Sequence, residues 1–304
     1  MMNAICVVCG AQSIRTLNVR PKLSYDVCQK CGHCELISCF KSIEKSFKFA
    51  QEKYFGESSL LTRELTSSLN DEIVSVRRNI VGSVLSRTCD VLEVGPGSGA
   101  FLNWLSQRGH RVIAVEHSKA LACILSKRLD AKIFLGEFEN IDIDKESIDL
   151  FCAFHVIEHV RDPVEFLRKA IGVVRAGGYG FVATPNSESW EQRAFPFVSP
   201  NFDSAHLRVF SQASLRRLCE KAGWSVVRVI TPEYTMSWIR ILTKALRRVK
   251  GEDEEETAGK YAGTNAELIS RIGSVARVVT YPFRAIQEIS KGGNELFFIL
   301  KKPE

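Results

Sequence analysis

Cys6-Val-Val-Cys9 and Cys28-Gln-Lys-Cys31 are two Cys-x-x-Cys pairs with 18 residues between them. That spacing suits a four-cysteine zinc site, because two residues between thiolates let one tight turn aim both sulfurs at one ion. Gly10 and Gly32 each follow a second cysteine, where a knuckle needs a residue tolerant of positive φ. Four thiolates leave no open coordination position, so the zinc expected on Cys6, Cys9, Cys28 and Cys31 is structural. Cys34, Cys39 and His33 are alternative ligands of poorer spacing.

A second constellation is Glu93-Val-Gly95-Pro-Gly97-Ser-Gly99, where an apolar run from Asp90 breaks into glycines and then takes up helical periodicity. A strand, a glycine loop and a helix in that order let the backbone approach a ligand and present free amides to it. Glu116 ends the next apolar run, Arg111-Val-Ile-Ala-Val-Glu116, about 20 residues after the loop, where a carboxylate accepts both hydroxyls of a ribose. Gly95-x-Gly97-x-x-Ala100 also satisfies the looser dinucleotide fingerprint, so the loop alone is ambiguous. Glu93 separates the two readings: a carboxylate at the strand end can hold the amino group of a methionine moiety and is unhelpful beside a pyrophosphate.

The third group is His155, His159 and His206, candidate bases because histidine titrates where cells operate. His155 directly follows the apolar run Ser147 to Phe154, at the carboxyl edge of a sheet where α/β folds bind ligands. Glu158 and His159 fall on the first turn of a helix, where they face the pocket or bond locally. His-x-x-Glu-His echoes an inverted zinc-protease motif, but it follows a strand and precedes Asp162-Pro163 instead of lying in a long helix. His206 comes after an aromatic, proline-rich stretch, Phe195 to Phe202, suited to shaping a substrate pocket; the alternative is a loop-fixing hydrogen bond to Asp203. Trp190 and Phe197 could stack on a substrate ring or pack in the core.

Glu93-Val-Gly-Pro-Gly-Ser-Gly99, Glu116 and His155-Val-Ile-Glu-His-Val-Arg-Asp-Pro163 resemble the motifs of class I S-adenosylmethionine-dependent methyltransferases. The last segment is similar to one common in the ubiquinone-biosynthesis-like and sugar-modifying groups. The resemblance covers about residues 70 to 230 plus Glu295 to Lys301. It implies an α/β, Rossmann-like sheet of seven mostly parallel strands, with Leu296-Phe-Phe-Ile-Leu300 in an antiparallel seventh strand. It also implies donor binding by Glu93, Gly95, Gly97, Gly99, Glu116, His117, Glu137, Phe138 and His155, with adenine meeting Glu137 and the Phe138 amide. The cysteine pairs followed by Tyr54-Phe55 resemble a subset of bacterial methyltransferases of polysaccharide and sugar pathways that carry a zinc ribbon.

The elements expected to position these groups are a zinc-ribbon module over 1–45, a methyltransferase domain over 46–304 and a helical insertion over 231–293 between strands six and seven. The ribbon reads as a short hairpin, Leu17 to Tyr25, too small to fold without metal. The domain reads as a third strand Lys132 to Phe138, a helix Pro163 to Arg175, a turn Ala176 to Gly178 and a strand Tyr179 to Thr184. In the insertion, Trp238, Ile239, Leu242, Leu246 and Val249 recur at helical spacing among Arg240, Lys244, Arg247, Arg248 and Lys250. A second stripe runs Leu268, Ile272, Ala276, Val279, Phe283, Ile286, and Glu252 to Glu256 reads as a solvated turn between the two. Such helices could make a peripheral membrane contact through 236–290, form a lid or a homodimer contact, or pack on the protein's own core.

Composition is that of a globular chain, at 45% hydrophobic and 25% charged residues, with no run of about 18 apolar residues. The opening Met1 to Cys6 has no basic start or long apolar stretch, so a cytoplasmic location is expected, where thiols stay reduced. An excess of 41 Lys and Arg over 35 Asp and Glu is too small to argue for a polyanionic partner. A nucleic-acid modifier that uses the zinc ribbon for recognition is an alternative of another class; against it, the ribbon lacks basic residues interleaved with aromatics and no Asn-Pro-Pro-Tyr or Asp-Pro-Pro-Tyr follows the fourth strand. The expected reaction is methyl transfer to a small acceptor, a hydroxyl of a sugar nucleotide, glycan or related metabolite, with a quinone-pathway O-methyltransferase as the alternative.

Overall fold

The computed structural model describes residues 5–20, 23–37, 67–85, 87–197, 199, 201–202, 205–235, 237–238 and 266–304. Cys39, Tyr54-Phe55, Asp203, the basic stretch from Ile239 to Lys250 and the acidic stretch Glu252 to Glu256 lie outside the described residues.

Two sheets organise the chain. The first begins with β1 (Ile14–Arg20) and β2 (Leu23–Cys28), an antiparallel hairpin longer than the one expected, and continues with β3 (Cys34–Ile37). Its fourth strand comes from far along the chain: β9 (Arg208–Val209) pairs Cys34 with Val209 and Glu35 with Arg208. Tyr25, Phe202 and Val209 share its small core.

The second sheet is the expected seven-stranded one, ordered β10-β11-β8-β7-β4-β5-β6. Its strands are β4 (Asp90–Val94), β5 (Arg111–Glu116), β6 (Lys132–Leu135), β7 (Ile148–Phe154), β8 (Val174–Pro185), β10 (Ser225–Ile230) and β11 (Glu295–Lys301). The pairings among β4 to β8 are parallel, and β11 runs antiparallel to both β8 and β10. Alternate residues point to opposite faces of a strand, so Leu92 and Phe151 enter one core while Val91 and Cys152 enter the other. A sheet buried on both faces reads as continuous apolar strands, which is why these runs were visible in the sequence.

Helices α1 (Ser67–Gly82) and α2 (Ala100–Ser106) cover one face, with Val81, Phe101, Leu102 and Leu105 in its core. On the other face lie α4 (Pro163–Val173) and α6 (Gln212–Lys221), after α3 (Lys119–Arg128) and before β10 in the chain. Asp162 caps α4 through the Val164 and Glu165 amides, and Pro163 stands where no amide partner is needed. This helix ends two residues earlier than expected, and β8 starts at Val174, with a register irregularity between Ile148 and Leu150 of β7. The β-branched pair Val173-Val174, fully buried, suits the strand entry better than a further helical turn. The third strand also stops early, at Leu135, because Gly136 takes φ +147° and Phe138–Asn140 forms a 3-10 turn. A short α5 (Trp190–Ala194) follows β8, and α7 (Ala266–Ile289) lies between β10 and β11.

Candidate active site

The parallel strand order reverses between β4 and β7, and ligands of open α/β sheets bind outside the carboxyl ends at such a point. The glycine loop leaves β4 there, and the histidine segment leaves β7. Gly95, Gly97 and Gly99 all have positive φ, at 66°, 58° and 74°. They are not equivalent. A Cβ on Gly95 would stand 2.8 Å from Val156, and one on Gly99 would stand 2.6 Å from Leu125, whereas one on Gly97 would meet nothing within 4 Å. Gly95 and Gly99 therefore serve packing, and Gly97 faces open space that a ligand can fill.

Glu93 is buried on β4, at 1% exposure, and its Oε2 has no hydrogen-bond partner. Burial pushes its carboxyl up to about 8, with the nearby Glu116 adding to the effect and Arg77 opposing it. A buried carboxyl with an orphaned oxygen calls for a cationic hydrogen-bond donor. Glu116 ends β5, equally buried, with one oxygen accepting the Ser118 amide at 2.8 Å. His117 beside it is exposed. Glu137 precedes the 3-10 turn and accepts Asn140 Nδ2 at 3.2 Å, while the Phe138 ring packs on Phe151 and Phe166 in the core. Phe138 can thus offer a ligand only its backbone.

His155 has φ +57°, a left-handed conformation rare outside glycine. Its side chain, 42% exposed, lies between two buried carboxylates: Nε2 is 2.7 Å from Glu295 Oε1 and Nδ1 is 3.2 Å from Glu158 Oε1. Burial alone would lower its pKa, but Glu158 and Glu295 together raise it to about 9. Two carboxylates within reach favour the protonated ring, so this geometry suits His155 to positioning its turn more than to taking a proton.

His159 and His206 differ from it. His159 Nδ1 lies 2.8 Å from Ala205 O, and His206 Nδ1 lies 2.8 Å from Asn201 O; Asp203, its other expected partner, lies outside the described residues. A carbonyl only accepts, so each Nδ1 carries a proton. Burial lowers the His159 pKa to about 4, so this ring is neutral at physiological pH. The two rings stand 5.0 Å apart, and ligating atoms of Glu158, His159 and His206 all lie within 4.8 Å of one another. Glu158 is fully buried; against that burial, the histidines hold its pKa down to about 2, and its Oε2 accepts the Thr184 hydroxyl at 3.0 Å. A carboxylate beside two imidazoles can take part in a proton relay or hold a divalent cation.

Several members of this site gave no signal in the sequence. Tyr234 donates its hydroxyl to Glu295, and Arg77 of α1 reaches Glu295 Oε1 at 3.8 Å while its guanidinium sits 4.4 Å over the Phe154 ring. Burial opposes ionisation of Glu295, but His155, Arg77 and Tyr234 together hold its pKa down. Glu233 is buried among the Tyr234 and Asn294 amides, which donate to it, and burial raises its pKa to about 8. An acid bordering an apolar strand, as Glu295 does, is the one hint available from sequence. Trp190 and Phe197 are about 40% exposed, at 40% and 42%, on the stretch after β8.

The cysteine sheet is tied to this site. Tyr25, fully buried, donates its hydroxyl to His206 O at 2.9 Å, and the Leu36 amide donates to Leu207 O at 2.9 Å. Ser187 and Ser211 hydroxyls donate to Gly32 O and Cys31 O, and Arg208 pairs with Glu35 at 3.1 Å. The four sulfurs of Cys6, Cys9, Cys28 and Cys31 lie within 4.8 Å of one another, with Cys6 to Cys31 at 3.6 Å and Cys9 to Cys28 at 3.5 Å. A zinc tetrahedron with bonds of about 2.3 Å places its sulfurs about 3.8 Å apart, so the cluster fits the ion. Cys34 is buried outside this group, and burial pushes its thiol up to about 12.

The family model described as a methyltransferase domain matches residues 58–229, more than half of the chain. A probable S-adenosylmethionine-dependent methyltransferase of Mycolicibacterium smegmatis is 29% identical over 154 residues, covering 49% of this chain and 58% of that protein. A ubiquinone biosynthesis O-methyltransferase of Bradyrhizobium diazoefficiens is 28% identical over 117 residues, covering 37% of this chain and 46% of that protein. The chain thus spans about half the length of these curated relatives. Phosphoethanolamine N-methyltransferase 2 of Haemonchus contortus, solved with S-adenosyl-L-methionine, shares the fold at a TM-score of 0.56 and 14% identity, covering 89% of this chain and 62% of that one. By sheet order, glycine loop and family match, the chain belongs to the methyltransferase-domain family, with the Rossmann-like fold of class I S-adenosylmethionine-dependent methyltransferases.

Proposed function

We propose that the protein transfers a methyl group from S-adenosylmethionine to a hydroxyl of a small acceptor, a sugar nucleotide, glycan or related metabolite. The observation that carries this reading is the pairing of the glycine loop and its buried carboxylates with two neighbouring imidazoles, those of His159 and His206. Glu93, with its orphaned buried oxygen, would hold the amino group of the donor, Glu116 the ribose, and the backbone at Gly97 the space between. Arg77 supplies positive charge beside Glu93 and suits the donor's carboxylate. When bound, S-adenosylmethionine supplies an electrophilic methyl on a sulfonium.

The chain's own residues then have two tasks: align the acceptor oxygen and take its proton. His206 would take that proton, with the His159 ring 5.0 Å away. The buried Glu158 carboxylate stabilises the imidazolium that forms, as a carboxylate does in a catalytic triad. His155, held between Glu158 and Glu295, would fix the turn that carries Glu158 and His159.

A structural zinc on the four cysteines would brace β1 to β3, and through Tyr25 and Leu36 those strands hold the His206 loop. A cytoplasmic location accords with reduced thiols; among the described residues no helix is long and apolar enough to cross a membrane. The test is release of S-adenosylhomocysteine by the zinc-loaded protein against a panel of sugar nucleotides, glycans and hydroquinones. Turnover with a sugar hydroxyl supports the reading, and turnover only with an amine or a hydroquinone replaces it.

A further inference from the structure

Helix α7 is inside out. Its buried side is polar: Arg284 donates to Glu72 Oε1 at 2.8 Å, and Gln287 accepts from Trp238 Nε1 at 3.1 Å. Its solvent side carries Val278, Val279, Tyr281, Phe283, Ile286 and Ile289, exposed by 52 to 83%. Of the stripe read from the sequence, Val279, Phe283 and Ile286 point to solvent. At about 100° per residue these six side chains occupy one broad arc. Contiguous exposed apolar surface of this kind marks a contact.

We propose that this face of α7 docks on an anionic lipid surface. Charge selects that occupant. Exposed Arg277 and Lys291 bracket the face, and its one nearby acid, Glu288, accepts the Glu233 amide at 3.0 Å. Trp238 lies against Phe283 with ring centroids 6.1 Å apart and adds an aromatic edge to the face. An apolar face with aromatic edges and cations beside it is the pattern of an interfacial helix. A second copy of the chain would bring the same cations together across a two-fold axis, a like-charge arrangement that disfavours self-association. The inference stands apart from the choice of acceptor, since it concerns where the protein sits.

The experiment is flotation of the full, zinc-loaded chain with vesicles of phosphatidylcholine alone and of phosphatidylcholine with phosphatidylglycerol, beside light scattering across a concentration range. The protein should float with the anionic vesicles and be released by high salt. The double variant Ile286→Asp, Ile289→Asp should lower partitioning by about tenfold or more. Both side chains are exposed, so circular dichroism and thermal melting should match the wild type. Failure to float with either vesicle, flotation untouched by the double variant, or a dimer that the variant dissolves would each overturn the proposal.

Discussion

Glu93 offers a quantitative test of the donor site. With its carboxyl raised to about 8 in the empty pocket, the group holds about 0.9 of a proton at pH 7. A cationic amino group against Oε2 favours the carboxylate, so binding of S-adenosylmethionine should release about 0.9 of a proton at that pH. The sign follows: the free pocket binds more protons than the filled one, so donor affinity rises with pH. The dissociation constant should fall as pH rises towards 8 and climb again above it, where the donor's own amino group loses its proton. Isothermal titration in buffers of different ionisation enthalpy reads the proton count directly as a slope. Glu93→Gln should abolish the slope and weaken binding by roughly 3 kcal/mol, the scale of losing one partner of a buried charge pair. A wild-type slope of zero at pH 7, or one that survives in Glu93→Gln, would refute the assignment of Glu93 to the donor's amino group.

Three further outcomes follow from the same geometry. His206→Asn should lower kcat by roughly 10²- to 10⁴-fold while leaving the donor dissociation constant unchanged, and Tyr25→Phe, which removes only the hydroxyl bonded to His206 O, should lower kcat by a smaller factor with the same unchanged donor binding; a donor-binding defect in either would misplace the base. His159, with a folded pKa of about 4, binds fewer protons than the unfolded chain between that value and its ordinary one near 6.5, so stability is lost as pH falls through this window, by about 3 kcal/mol in all; urea titrations should show His159→Gln flattening that slope. Gly99→Ala, meeting Leu125 at 2.6 Å with φ +74°, should destabilise the fold by roughly 3 kcal/mol, whereas Gly97→Ala, with no neighbour within 4 Å, should cost about 1–2 kcal/mol in a thermal melt and act mainly on donor affinity.

What the sequence made legible is what chain-local chemistry encodes. Fully buried parallel strands appear as apolar runs, and the glycine loop and the cysteine pairs place their ligating groups within a few residues of one another. The acid ends of β4 and β5 were readable for the same reason. The remainder of the site is assembled across long separations. Tyr25 reaches His206 over 181 residues, and His155 reaches Glu295 over 140. No periodicity records such contacts. Two-residue β9 is too short to announce itself, yet it joins the cysteine sheet to the histidine loop. Arg77 and Tyr234 carry no local signal, and only the fold brings them to Glu295. The outward stripe of α7 shows a further limit: a helical period identifies an apolar face but says nothing about whether that face meets the core.

The most direct measurement is calorimetric titration of the zinc-loaded protein with S-adenosylmethionine and, separately, with NAD, repeated on Glu116→Ala. Binding of S-adenosylmethionine that weakens in the variant, with no heat from NAD, is the expected result, whereas binding of NAD alone would contradict the donor site and return the glycine loop to dinucleotide recognition.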